Sequence, residues 1–529
     1  MRHALFLLLL AAAPAFAQSP LPPIDEPRGS LVIVGGGTFP DAIREKFVAL
    51  AGGEKAKIVV IPTASADADD ATKRDSFTAS WTKLKPASVT ILHTRDRKQV
   101  DDIAFVKPLT EATAVWFSGG DQNRILTVYR GTRVEKELHK LLERRGVIGG
   151  TSAGAAIMGD PMIAGGKDKA TTATGFGFLP GFIVDQHFVA RNRKERLIGV
   201  IDGLPGYVGL GIDEGTAAIV TRRDIEVLGE STVTVILSPG AGKPRLETVL
   251  KAKESADLFQ LRRAAANRAA KVAFPPAKLA EANVANGTLV IIGGGGTTVE
   301  IMDRFFAAAG GKDALILAIP TANEFNVVVG ETGDEKFLKK YGATNVKRLH
   351  TRSRTQADDP KFSEILTEAK GVWFGGGRQW RFVDAYENTL IEKRFHEVLA
   401  RGGVIGGSSA GASIQSEYMP RGHPLGNEVM AAEGYEKGFG FLPGCAVDQH
   451  FFARKRFADM TGLMKLYPQY LGIGIDESTA IVIAKQIAEV VGNSKVAFYD
   501  ANAKPVDGKD YVEVSAGRKY DLKTRKVVE

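Results

Sequence analysis

The sequence predicts an α/β protein made of two tandem domains, each a mostly parallel β-sheet flanked by helices. Two observations carry that prediction. The chain repeats itself: LVIVGGG at residues 31–37 returns as LVIIGGG at 289–295, and IPTA, LHTR, VWF, GVIGG, GFGFLPG, VDQHF and GIDE then follow in the same order in both halves. Within each half, short Val/Ile-rich runs alternate with helix-compatible stretches such as 41–50 and 132–145, the pattern of β-α-β units around a parallel sheet.

Along the chain, Met1-Arg2-His3, an apolar run over 4–13 and Ala15-Phe16-Ala17 read as a signal peptide over 1–17, so the mature protein is expected to be exported to the periplasm or medium. The run is too short to span a bilayer, and no membrane partner is expected. The first repeat is placed at 29–260 and the second at 287–529. Between them, 261–286 reads as a linker, an Ala/Arg-rich helical spacer stopped at Pro275-Pro276. Segments 224–250 and 486–529 read as β-hairpin additions. Two copies in one chain predict an intramolecular pseudo-dimer. Cys445 is the single cysteine, so no internal disulfide forms. The net charge of +8 is dispersed among acidic residues and brings no nucleic-acid motif with it.

The chemistry concentrates in three repeated strings. Val147-Ile148 leads into Gly150-Thr151-Ser152-Ala153-Gly154, and Val404-Ile405 into Gly407-Ser408-Ser409-Ala410-Gly411. Each is G-x-S-x-G at a strand-to-helix turn, where small neighbours permit the tight turn that lifts a serine hydroxyl above the sheet. A serine nucleophile needs a base. His187 and His450 each follow an apolar strand and project from its carboxyl end, where sites on parallel sheets form. Gly119-Gly120 and Gly376-Gly377 expose main-chain N–H groups, so Gly120 with Ala153 and Gly377 with Ala410 are expected to line oxyanion holes, with Gln122 and Gln379 facing substrate. The Gly35-Gly36-Gly37 loop lacks the third glycine of a dinucleotide fingerprint, where Pro40 stands. No His/Cys/Asp cluster has metal-ligand spacing. Neither cofactor nor metal is expected.

The strings GGTSAGAAIM, SGGDQNRI, DQHFVARNRKERL and GIDEGTA resemble the cyanophycinase family of serine peptidases, relatives of dipeptidase E, over about 200 residues of each half. The resemblance implies the fold of class I glutamine amidotransferases with Ser in place of the Cys nucleophile. It implies cleavage of the aspartate backbone of cyanophycin with release of β-Asp-Arg dipeptides. Carried over by position, Ser152 is the nucleophile and His187 the base. Gln122, Asp185, Gln186, Arg191, Arg193 and Arg196 belong to the substrate-binding group, with Gln379, Asp448, Gln449, Arg454 and Arg456 as their second-copy equivalents. The family's spacing places the triad acid at Asp168, and at Glu428 in the second copy with Glu433 behind it. Asp213-Glu214 and Asp476-Glu477 are the alternatives.

In the second copy Asp459 replaces the third arginine. On a helix it would lie beside Arg456 and draw charge away from a substrate carboxylate, so the first copy is expected to carry most of the activity. Two other functions fit the same strings: a peptidase for other Asp or isoaspartyl peptides, and a binding module that has lost catalysis in one or both copies.

Overall fold

The computed structural model describes residues 28–325, 329–505 and 507–528. The signal peptide inferred over 1–17 lies outside them. In the first copy five strands form a parallel core: β1 (Ser30–Val34), β2 (Lys57–Ile61), β3 (Ser88–Ile91), β4 (Ala114–Phe117) and β5 (Val147–Thr151), in the order β1-β5-β4-β2-β3. The strands β1, β2 and β4 read as near-continuous apolar runs because helices cover both faces, while the edge strand β3 alternates between half-buried and exposed residues. Leu31, Ile33, Val115 and Phe117 pack on one face, and Val32, Val34 and Trp116 on the other.

A separate four-stranded sheet holds β6 (Phe182–Gln186) beside its parallel neighbour β7 (Val208–Ile212). The region expected to add hairpins does so. β8 (Thr216–Thr221), β9 (Asp224–Gly229) and β10 (Ser255–Asp257) extend the main sheet antiparallel from β1. The short helices α1 (Gln122–Tyr129) and α2 (Ala153–Ala156) follow β4 and β5 directly.

The expected spacer is a packed element instead. Helix α3 spans Leu258–Ala269, so the boundary at 261 cuts it. Leu258, Leu261, Ala264, Ala265 and Ala266 are buried, and Asp257 caps the helix through the Gln260 amide. The small alanine side chains that suit a spacer also let this helix approach its neighbours closely.

The second copy repeats the plan with β11 (Val284–Ile292), β12 (Ile316–Ile319), β13 (Val346–Arg348), β14 (Gly371–Phe374), α4 (Trp380–Tyr386), β15 (Val404–Ser408), α5 (Ala410–Ser413), β16 (Leu442–Asp448) and β17 (Leu471–Ile475). Its main sheet runs β13-β12-β14-β15-β11 and continues through β18 (Thr479–Lys485), β19 (Ile487–Gly492), β20 (Lys519–Asp521) and β21 (Lys526–Val528).

The two copies pack against each other through non-equivalent surfaces. On the first copy the contact uses Arg223, Lys243 and α3; on the second it uses α4, Glu387 and residues 433–436. The pseudo-dimer is therefore a head-to-tail pairing without the self-complementary patch of a two-fold interface.

Candidate active site

The nucleophile turn forms in both copies as the sequence predicts. Ser152 has φ 53° and ψ −108°, and Ser409 φ 57° and ψ −112°, a conformation that serine adopts only under constraint. The flanking glycines supply it. A Cβ on Gly154 would stand 2.4 Å from the Phe117 carbonyl oxygen, and one on Gly150 would stand 2.5 Å from that of Gly154.

The expected bases are in place. Ser152 Oγ lies 2.8 Å from His187 Nε2, and Ser409 Oγ 3.0 Å from His450 Nε2. With each hydroxyl donating to Nε2, the other ring nitrogen carries the proton. His187 Nδ1 donates it to Glu214 Oε1, and His450 Nδ1 to Glu477 Oε1 at 2.6 Å. Burial pulls both imidazoles below the usual histidine pKa, and the carboxylates partly offset this.

These partners correct the acids drawn from the family spacing. Asp168 and Glu428 are exposed loop residues that do not reach the histidines, and Glu433 pairs with Arg268 across the copy interface. The GIDE alternative is the one that fits. β6 and β7 run parallel with Gln186 opposite Ile212, so the residues just past their ends, His187 and Glu214, meet. The other carboxylate of that pair, Asp213, is structural, accepting from the Val189 and Ala190 amides and from Ser231 Oγ at 2.7 Å.

The Gly35-Gly36-Gly37 loop, set aside as a dinucleotide site, is the floor of this arrangement. A Cβ on Gly36 would stand 2.2 Å from His187 Cε1, and one on Gly294 2.3 Å from His450 Cε1. Its return in both halves was the signal for such a role. The second glycine string also lies where expected. A Cβ on Gly119 would be 3.5 Å from Ser152 Cβ, while Gly120 backs onto the Ala64 carbonyl. Among the described residues the amides of Gly119, Gly120 and Ala153 have no main-chain acceptor, and the same holds for Gly376, Gly377 and Ala410.

The expected substrate-binding group divides. Asp185 is fully buried, and Arg196, 4% exposed, grips it with Nε at 3.0 Å and again through Nη2, while its Nη1 donates to the Gly166 carbonyl. Arg193 donates to the Gln186 carbonyl at 2.8 Å and faces Asp185 at 3.5 Å. These residues, expected to hold substrate, hold the base strand. Arg191 and Arg454 are exposed beside the sites. Gln122 donates to the Ile163 and Ala164 carbonyls, and buried Gln379 to those of Pro420 and Arg421 at 2.9 and 2.8 Å, so both amides fasten loops. Gln186 and Gln449 are 6% exposed; Gln449 Oε1 accepts from Ser413 Oγ at 3.0 Å, whereas Gln186 Oε1, facing Ala156 in place of that serine, has no partner.

The second copy rebuilds the buried ion pair with other residues. Arg421, 1% exposed, reaches both oxygens of Asp448 at 3.1 Å and Asp459 at 2.6 Å, and Arg456 adds a bond to Asp448 at 2.9 Å. Asp459 is thus the partner of Arg421, not a drain on Arg456. The sequence comparison missed this because Arg421 lies on a loop 38 residues away.

A serine on a strained strand-to-helix turn, hydrogen-bonded in series to a histidine and a glutamate, defines the class: a serine-type hydrolase on an α/β scaffold. The family follows from comparison. The model of peptidase family S51 matches residues 31–228 and again 284–491, and the chain belongs to that family as a serine-type peptidase. It is 33% identical over 222 residues to a cyanophycinase of Geminocystis herdmanii, covering 41% of this chain and 81% of the relative. It is 36% identical over 223 residues to one of Synechococcus elongatus, covering 40% and 68%. Among solved structures, a peptidase from an acI-B1 actinobacterium aligns at 24% identity and a TM-score of 0.37, covering 44% of this chain and 98% of the other.

Proposed function

We propose that the protein is an exported exopeptidase that hydrolyses the aspartate backbone of cyanophycin and releases β-Asp-Arg dipeptides. The observation that carries this reading is the Ser–His–Glu series, present in both copies of a chain similar to cyanophycinases. Ser152 attacks the scissile carbonyl while His187 takes its proton, and Glu214 holds the resulting imidazolium. The amides of Ala153 and the Gly119–Gly120 turn receive the oxyanion. His187 then protonates the leaving amine, and water, activated by the same histidine, releases the acyl group. Ser409, His450 and Glu477 repeat these roles. The leader-like residues 1–17 support export.

The test is Ser152→Ala combined with Ser409→Ala, assayed on insoluble cyanophycin and on isoaspartyl and α-aspartyl dipeptides. Hydrolysis by the unaltered protein should fall by several orders of magnitude in the folded double variant. Undiminished turnover would refute the serine mechanism. One observation favours a second reading, action on other Asp or isoaspartyl peptides. Arg193 and Arg196 are occupied by Asp185, which leaves Arg191 as the exposed arginine of that segment. The dipeptide arms of the assay separate the two.

A further inference from the structure

The two active sites are built alike but anchored differently. In the second copy the glycine loop beside Ser409 runs through Arg378 and Gln379 into α4, whose first residue is Trp380. Gln379 holds the carbonyls of Pro420 and Arg421, and Arg421 in turn pairs with Asp448, two residues before His450. Arg378 adds bonds to the His423 and Gly426 carbonyls. The start of α4 therefore governs both the oxyanion loop and the strand that presents the base.

That start is held from the first copy. Arg223, in the turn between β8 and β9, lays its guanidinium 3.9 Å from the ring centre of Trp380. It donates to Asp384, also on α4, at 2.9 Å and to Tyr435 Oη at 3.0 Å, while Asp257 of its own copy grips it from the other side. Tyr435 Oη closes the network on Asp384 at 2.6 Å. Among the described residues no side chain of the second copy makes a corresponding contact at the first site. Asn123 stands in the position of Trp380 and is exposed, and its helix is capped by its neighbour Asp121. Gln486 occupies the place of Arg223 in the second copy, where the strand pairing is the same but the guanidinium is absent.

We propose that the first copy is a positioning partner for the second active site, with Arg223 as the positioning residue, and that the Ser152 site has no such dependence. A guanidinium that is 14% exposed, stacked on an indole and bonded to two carboxylates, has one low-energy placement, so it fixes α4 where exposed side chains would leave it free to shift. Displacing α4 moves the Gly376–Gly377 amides away from the oxyanion position, and preorganised donors act only at the right distance. The proposal rests on Ser409 being a nucleophile.

The experiment uses the full chain, in which Ser152 is the internal control. Labelling by a fluorophosphonate is followed at both serines by peptide mass spectrometry in the unaltered protein, Arg223→Gln, Arg223→Lys and Asp384→Asn. Arg223→Gln is expected to slow Ser409 labelling tenfold or more while Ser152 stays within twofold, with partial recovery in Arg223→Lys. A merely structural role would lower the melting temperature without moving the ratio of the two rates. An unchanged ratio in folded Arg223→Gln overturns the proposal. If that variant does not fold, seen as loss of labelling at Ser152 as well, Asp384→Asn decides by the same ratio. Absence of adducts at both serines of the unaltered protein would instead refute the serine-hydrolase reading itself.

Discussion

At the scale of single residues, the acid of each triad separates what the strings suggest from what the fold selects. Glu214→Gln should lower kcat/KM of the first site by at least a hundredfold with little change in KM, because the imidazolium loses its counter-charge. Asp168→Asn should leave it unchanged, and the reverse result would restore the family-spacing assignment. Burial also holds His187 and His450 below the ordinary histidine pKa. The neutral, proton-accepting ring therefore persists into mildly acid solution, and the acid limb of a kcat/KM profile is expected below about pH 6.5. A second titration belongs to the second copy alone. Asp334 lies against Gly375, where the first copy has Ser118, and burial pushes its carboxyl up to about 6. A carboxyl that binds its proton more tightly when folded contributes stability below its unfolded value, and loses it as pH rises through about 6. Asp334→Asn should thus raise unfolding stability at pH 8 by on the order of 2 kcal/mol and change nothing below about pH 3. Denaturant titrations at the two pH values check both signs.

At the scale of elements, the sites depend on main chain that cannot tolerate side chains and on loops that carry charges across sequence distance. Gly36→Ala should silence Ser152 in a folded protein, since the new methyl would occupy the space of the His187 ring. Selective loss of labelling at Ser152, with Ser409 retained, is the expected readout. The segment after β15 and α5 shows the second dependence. Asp459→Arg, attractive if Asp459 weakens the site, would instead face the buried Arg421 with a like charge. Asp459 is about half exposed and Arg421 keeps Asp448, so the cost is smaller than for a fully buried pair, but the introduced repulsion adds to it. The variant is expected to melt earlier and to lose Ser409 activity, and a gain in turnover would show that Arg421 does not need this partner.

At the scale of the whole molecule, α3 turns two homologous domains into an asymmetric pair. Arg263 stacks on Tyr435 with its guanidinium 4.8 Å from the ring centre and bonds the Gly434 carbonyl, and Arg268 pairs with Glu433 at 2.6 Å. Arg268 is 5% exposed, so its loss leaves the Glu433 carboxylate with only the longer Lys243 contact at 3.7 Å in a largely dry interface. Arg263→Ala with Arg268→Ala should split a single calorimetric transition into two, by weakening the docking of copies that keep their own cores. One unshifted transition would mean that the copies are held together elsewhere.

The sequence by itself determined the duplication, the α/β class, the two serine turns and the two histidines. These are local: a glycine-flanked serine after an apolar run, and a histidine at a strand end, need only neighbours in the chain to be recognised. Only the tertiary structure decided the triad acid, because Glu214 meets His187 through the pairing of two parallel strands rather than through a fixed spacing from the nucleophile. It likewise decided that Arg193 and Arg196 hold Asp185, that Asp459 has Arg421 as its partner, and that the Ala/Arg-rich stretch is an interface helix. Each of these is a charge or a small side chain whose meaning depends on what the fold sets opposite it, and a single sequence carries no record of that opposition.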